Sequence, residues 1–158
     1  MAVLAAAVGG SAAAPAKEAH VRLTVERRLV RPHDKVHVAA RRGTEAAVEL
    51  QYEVTRAGEL RVENTAPLLD DPNSLAVLSG DSLSFTRSGV PTQRQGPVSA
   101  LGRVRAGEAV RVRLKIALPP SITPGTYAAQ FFSEVIDPAK AQERVTDFPV
   151  TLVIVVQR

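Results

Sequence analysis

From Ala109 to Leu118 the chain alternates without a break. Val110, Val112, Leu114, Ile116 and Leu118 share one parity, and Arg111, Arg113 and Lys115 share the other. Strand side chains alternate between faces, so this pattern predicts a half-buried strand with a basic outer face. Gly107 marks a turn before it, and Pro119-Pro120 end it because proline cannot donate to a ladder. Pro124-Gly125 is a further turn signal, and Thr126 to Ile136 reads as the next strand. Strands adjacent in sequence usually pair, so these two are expected as antiparallel neighbours.

The same signal recurs upstream. Val21, Leu23 and Val25 alternate, as do Val36 and Val38. Ala46, Val48, Leu50, Tyr52 and Val54 face one way, with Glu45, Glu49, Gln51 and Glu53 opposite, and Leu60 and Val62 continue the series. Turns are expected at Pro32-His33-Asp34, Arg42-Gly43 and Ala57-Gly58. Short candidates follow at Leu75–Leu78 and Leu83–Thr86, then FPVTLVIVV, whose apolar residues on both faces predict a central or doubly covered strand, or one that another chain completes. Ser88 to Ser99 is rich in Gly, Pro, Gln and Ser and reads as a long surface loop. About eight strands and at most one short helix predict an all-β fold, an antiparallel two-sheet β-sandwich of Ig-like or jelly-roll type.

Length and composition narrow this picture. A chain of 158 residues is one domain of ordinary size, able to bury roughly 70% of its unfolded surface. Two Tyr, four Phe and no Trp leave the core to Val, Leu and Ala. The net charge of +4 (20 basic, 16 acidic residues) is read as Arg spread along strands, a solvated face before a surface for anionic polymers. The basic strands lack the interleaved aromatics of single-strand nucleic-acid binders, so no specific nucleic acid is expected. Without Cys, disulfides, thiolate metal sites and Cys nucleophiles are excluded.

Residues 1–16 are apolar and small and end in Ala14-Pro15-Ala16, an A-x-A-type cleavage pattern. The segment lacks a basic start and its apolar run is short, as a truncated export signal would. The alternative is an Ala-rich tail on a cytoplasmic protein. The expectation is a secreted or cell-surface chain with a single sandwich domain over 17–158 and no membrane span.

The candidate residues for catalysis or metal binding are few and widely spaced. His33 and His37 stand too far apart on a strand, roughly 13 Å, to share one metal unless the chain turns between them. Asp70-Asp71 with Asn73 offers oxygens to calcium but reads more simply as a turn. Glu45, Glu49 and Glu53 are spaced too widely for paired-carboxylate hydrolysis and are expected to meet Arg111–Lys115 across the sheet. No G-x-S-x-G, Walker or dinucleotide pattern occurs. The chain is therefore expected to be no enzyme and to use no cofactor.

The run GPVSALGRVRAGEAVRVRLKIALP, residues 96–119, resembles secreted Ig-like and jelly-roll domains, and most of all the TasA and camelysin family of extracellular biofilm-fibre subunits. It covers about a sixth of the chain, and SITPGTYAAQFF after the Leu-Pro departs from that family's pattern. The resemblance implies a filament or cell-surface subunit that polymerises with copies of itself by donating its N-terminal strand, with Val21, Leu23 and Val25 as the inserted side chains. The alternative is a monomeric adhesion module recognising a glycan or protein through its long loop, with Arg87, Gln93, Arg94 and Gln95 as the contact surface.

Overall fold

The computed structural model describes residues 19–65, 76–140 and 148–158. The 1–16 segment and the Asp70-Asp71-Asn73 cluster lie outside them. Twelve strands are described: β1 Val21–Val25, β2 Arg28–Val30, β3 Lys35–Arg41, β4 Glu45–Val54, β5 Gly58–Thr65, β6 Ala76–Val77, β7 Leu83–Arg87, β8 Gln93–Gln95, β9 Val98–Val104, β10 Ala109–Ala117, β11 Gly125–Ile136 and β12 Pro149–Gln157. Two single-turn 3-10 segments, Gly80–Ser82 and Pro138–Lys140, accompany them.

The strands form two sheets. The first runs β2-β1-β4-β10-β7, and the second runs β3-β12-β11-β5-β9-β8, with β6 beside β11. The expected sandwich is observed. Its second sheet is mixed rather than purely antiparallel, because β3 pairs parallel to β12 and β6 parallel to β11. Two strands can pair parallel only when a longer path joins them, and β3 and β12 lie at opposite ends of the described domain.

The alternation of β10 works as its sequence predicts: Val110, Val112, Leu114 and Ile116 are buried, while Arg111 and Arg113 are exposed. Its neighbours are β4 and β7, however, and not β11. The Pro119-Pro120 segment carries the chain across to the other sheet, where β11 pairs with β12 and β5. FPVTLVIVV does occupy an interior position, since β12 lies between β3 and β11.

Three strands escape the sequence pattern. β2 and β8 have three residues each, too few to show a period. β9 carries a register shift between Ala100 and Arg103. Its buried positions therefore run Ser99, Leu101, Val104, changing parity at Gly102. The expected turn at Ala57-Gly58 has a second determinant. A Cβ on Gly58 would sit 2.2 Å from the Ile136 carbonyl oxygen, so only glycine lets β5 start against β11.

Between the sheets the core is aliphatic, with Leu23, Leu50, Leu60, Leu101, Leu114, Ile116 and Leu152 fully enclosed. Phe85 of β7 and Phe131 of β11 meet across it, ring centroids 5.3 Å apart and tilted by 60°. A fully buried polar pair joins the layers: the Tyr52 and Ser133 hydroxyls lie 2.7 Å apart, both residues at 0% exposure. Burial pushes the Tyr52 phenol above its ordinary range, and the Ser133 bond offsets part of that.

Tyr52→Phe should destabilise the fold by about 1–3 kcal/mol, because it leaves a buried hydroxyl without a partner. Adding Ser133→Ala should cost less than the sum of the two single changes. Chemical denaturation of all three variants checks the coupling.

Candidate binding surface

The residues singled out from the sequence separate into two groups. β1 is seated in its own chain. Val21–Val25 pairs antiparallel with β4 and Leu23–Val25 with β2, and Leu23 and Val25 are buried at 0% and 3% exposure, with Val21 packed at the core margin.

Of the second group, Gln93, Arg94 and Gln95 fall on the Ser88–Ser99 segment expected as a long loop, which instead holds a compact hairpin, and Arg87 ends β7. Gln93–Gln95 pairs with Val98–Ala100 around a two-residue turn at Gly96-Pro97, where Gly96 takes φ +57°. Gln93 and Gln95 are exposed on this edge strand. Arg87 and Arg94 are engaged within the fold. Arg87 Nη1 donates to the carbonyls of Leu101 and Arg103, which flank the β9 bulge, and its Nη2 lies 2.8 Å from Glu108 Oε2. Arg94 Nη1 donates to the Leu83 carbonyl, and its Nε to that of Gly96. Thr92 Oγ1 donates to the Phe85 carbonyl. Arg94 and Thr92 thus cover the outer edge of β7.

A surface the sequence reading missed lies on the opposite flank. The charge is not evenly spread. Residues 27–42 hold Arg27, Arg28, Arg31, Lys35, Arg41 and Arg42 against Asp34 alone, six cations to one carboxylate, or +5 in a chain of +4. The rest of the molecule is therefore close to neutral, at −1. All six cations are exposed, as are His33 and His37. Among the described residues, none of the six forms an ion pair. The signal was present in the sequence as a local charge count, but reading strand by strand divides it between β2, the turn and β3.

The local fold explains how these cations gather. β2 is the edge of the first sheet and β3 the edge of the second, and Arg31–Asp34 bridges them along one flank. Asp34 holds that bridge. Its Oδ2 accepts from Arg31 N–H at 2.8 Å, its N–H donates to the Arg31 carbonyl at 3.1 Å, and its carbonyl accepts from Thr151 N–H at 3.1 Å. His33 takes φ +71° there, and its N–H donates to the Pro149 carbonyl. At the β1–β2 turn, Glu26 and Arg27 take φ +46° and +69°, the geometry of a type I′ hairpin that usually requires Asn-Gly. Glu26 is held by its bonds to the backbone of Glu49, while Arg27 is exposed and lines a shallow depression with Glu26, Glu49 and Arg111.

By contrast, the outer face of the first sheet is charge-balanced. Arg113 stands opposite Glu49 and Lys115 lies 3.5 Å from Glu45, as expected from the sequence, while Arg111 stands opposite Gln51. His33 lies in the turn and His37 on β3. No group of three metal-ligating side chains occurs among the described residues. No helix among them is long and apolar enough to cross a membrane.

No family model matches the chain, and neither does any curated protein. Solved structures do. A family 123 glycoside hydrolase from Clostridium perfringens aligns at 9% identity and TM-score 0.50, covering 78% of this chain and 23% of the hydrolase. The chain thus spans about a quarter of that protein's length. PapD-like domain 7 of human CEP192 aligns at 14% identity and TM-score 0.46, over 100% of this chain and 98% of its own. The N-terminal domain of PorA aligns at 13% identity and TM-score 0.45, over 87% and 97%. At these identities the likeness concerns the sandwich fold alone.

Arg87→Ala should destabilise the domain by about 1–3 kcal/mol, because the bulge carbonyls and Glu108 lose their donor. Arg87→Lys should restore only part of this, since an ammonium cannot span the same acceptors. Thermal melts of both variants check it.

Proposed function

We propose that the chain is a non-catalytic Ig-like sandwich module, working outside the cell, that binds an anionic partner through the basic flank of β2, Arg31–Asp34 and β3. One observation supports this above the others: six exposed cations, none of them ion-paired among the described residues, lie along the β2–β3 flank of a chain whose other residues sum to −1. A solvated face serving solubility would mix both signs, as β4 and β10 do. A one-signed edge raises the local concentration of an oppositely charged partner and speeds its encounter.

Heparin serves as an anionic probe. Wild-type protein should be retained on a heparin column and released by salt. Arg28→Glu, Arg31→Glu and Lys35→Glu together should abolish retention, with stability changed by no more than about 0.5 kcal/mol per site. Reversing Arg111 and Arg113 on the balanced face should leave most of the retention. Equal losses from both sets would reduce the edge to a share of overall charge.

The fibre-subunit reading uses the same sandwich differently. Strand donation needs Val21, Leu23 and Val25 to leave their own core for a neighbour's. Leu23 alone is worth about 2–5 kcal/mol if it is truncated in place. Deleting Lys17 to Val25 should therefore unfold the domain, seen as loss of the cooperative melt. A truncated protein that stays folded and monomeric, while the intact chain assembles, would instead establish donation.

A further inference from the structure

We infer that the partner held at this flank is an extended acidic polypeptide segment, which adds to the second sheet as a new strand beside β3; this rests on the anionic-partner reading above. β3 is an edge with backbone groups to offer. Thr151 N–H donates to the Asp34 carbonyl and Arg42 N–H to the Gln157 carbonyl, and Lys35 to Arg41 lie in parallel register with Thr151 to Gln157. In such a ladder the backbone groups of 36, 38 and 40 turn toward β12. Those of Lys35, His37 and Ala39, with the Arg41 N–H, turn away from it. Among the described residues no strand pairs there, and the two bonds formed on that side both go to the Arg41 carbonyl, from the Thr44 hydroxyl and the Thr44 N–H.

Side chains on β3 specify what fits. On the outer face stand Lys35, His37 and Arg41, all exposed. On the inner face Val36 and Val38 pack against the core yet remain only partly covered. An added strand would lay alternate residues beside each row. Acidic side chains on one parity would meet the cations, and small apolar ones on the other would finish covering Val36 and Val38.

A second copy of β3 is a poor occupant. Antiparallel pairing centred on Val38 would set Lys35 opposite Arg41 twice over, and parallel in-register pairing would set each cation against itself. Like charges directly opposite destabilise a strand pair. The edge therefore selects against itself and for an acidic strand.

The test uses acetyl-(Glu-Val)4-amide and two analogues, one methylated on its Glu nitrogens and one on its Val nitrogens, titrated against the full chain by calorimetry beside heparin. The parent peptide should bind, and one analogue should bind at least about tenfold more weakly. The Glu set faces β3 in an antiparallel addition and the Val set in a parallel one, so the weaker analogue also reports strand direction. Slipping by one residue cannot rescue binding, because it would turn the Glu side chains toward the core. Equal binding of all three peptides, or binding of heparin with no peptide bound, would overturn strand addition and leave the anionic-partner reading standing. Binding of neither peptide nor heparin would overturn both.

Discussion

The domain depends on how often its chain must change sheets. Of the eleven connections between successive described strands, seven cross from one layer to the other. Each crossing lets a strand bury one face against the opposite layer while its sequence neighbour does the same from the other side. The bridge at Arg31–Asp34 has the largest consequence for the surface. Asp34 satisfies the tight turn with its side chain and anchors Thr151 with its carbonyl, so β3 must leave the first sheet and run parallel to β12. Two basic strand edges then lie along one flank.

This crossing habit sets what the sequence discloses. Alternation in β1, β4, β5 and β10 fixed which side chains point inward, and burial follows it residue by residue. The strength of that signal comes from the pleat, which is local. Pairing is not local, and the rule that neighbours in sequence pair in space placed β10 beside β11, where Pro119-Pro120 separate them into different sheets. The β9 bulge hid its strand for a related reason, because one extra residue at Leu101-Gly102 shifts the buried parity and cancels the period.

The candidate surface was legible only in part. Arg87 and Arg94 sit in a polar, Gly- and Pro-containing stretch of the kind that usually contacts solvent or ligands. Whether a guanidinium faces solvent or closes a backbone acceptor depends on where the bulge and the β7 edge fall, which no window of sequence contains. The β2–β3 cations carried the opposite difficulty. Their density is visible in residues 27–42, but its meaning needs the topology that turns a run of sequence into a continuous edge.

Edges explain why that density matters. An unpaired strand edge invites pairing with any extended chain, and folds limit this by keeping edges short, covered or charged. Three edges here follow the first two routes. β2 and β8 have three residues each, and the carbonyls of Leu83 and Phe85 on β7 are taken by Arg94 and Thr92. β3, with seven residues, is the longest edge among the described strands and is neither shortened nor capped along Lys35–Ala39. Charge alone guards it. Shortness and capping exclude every strand equally, whereas one sign of charge excludes only strands of like sign. A fold that needed β3 merely protected had the other two devices already in use on its remaining edges. The device present at β3 is the one that leaves an edge closed to its own copies and open to an acidic chain.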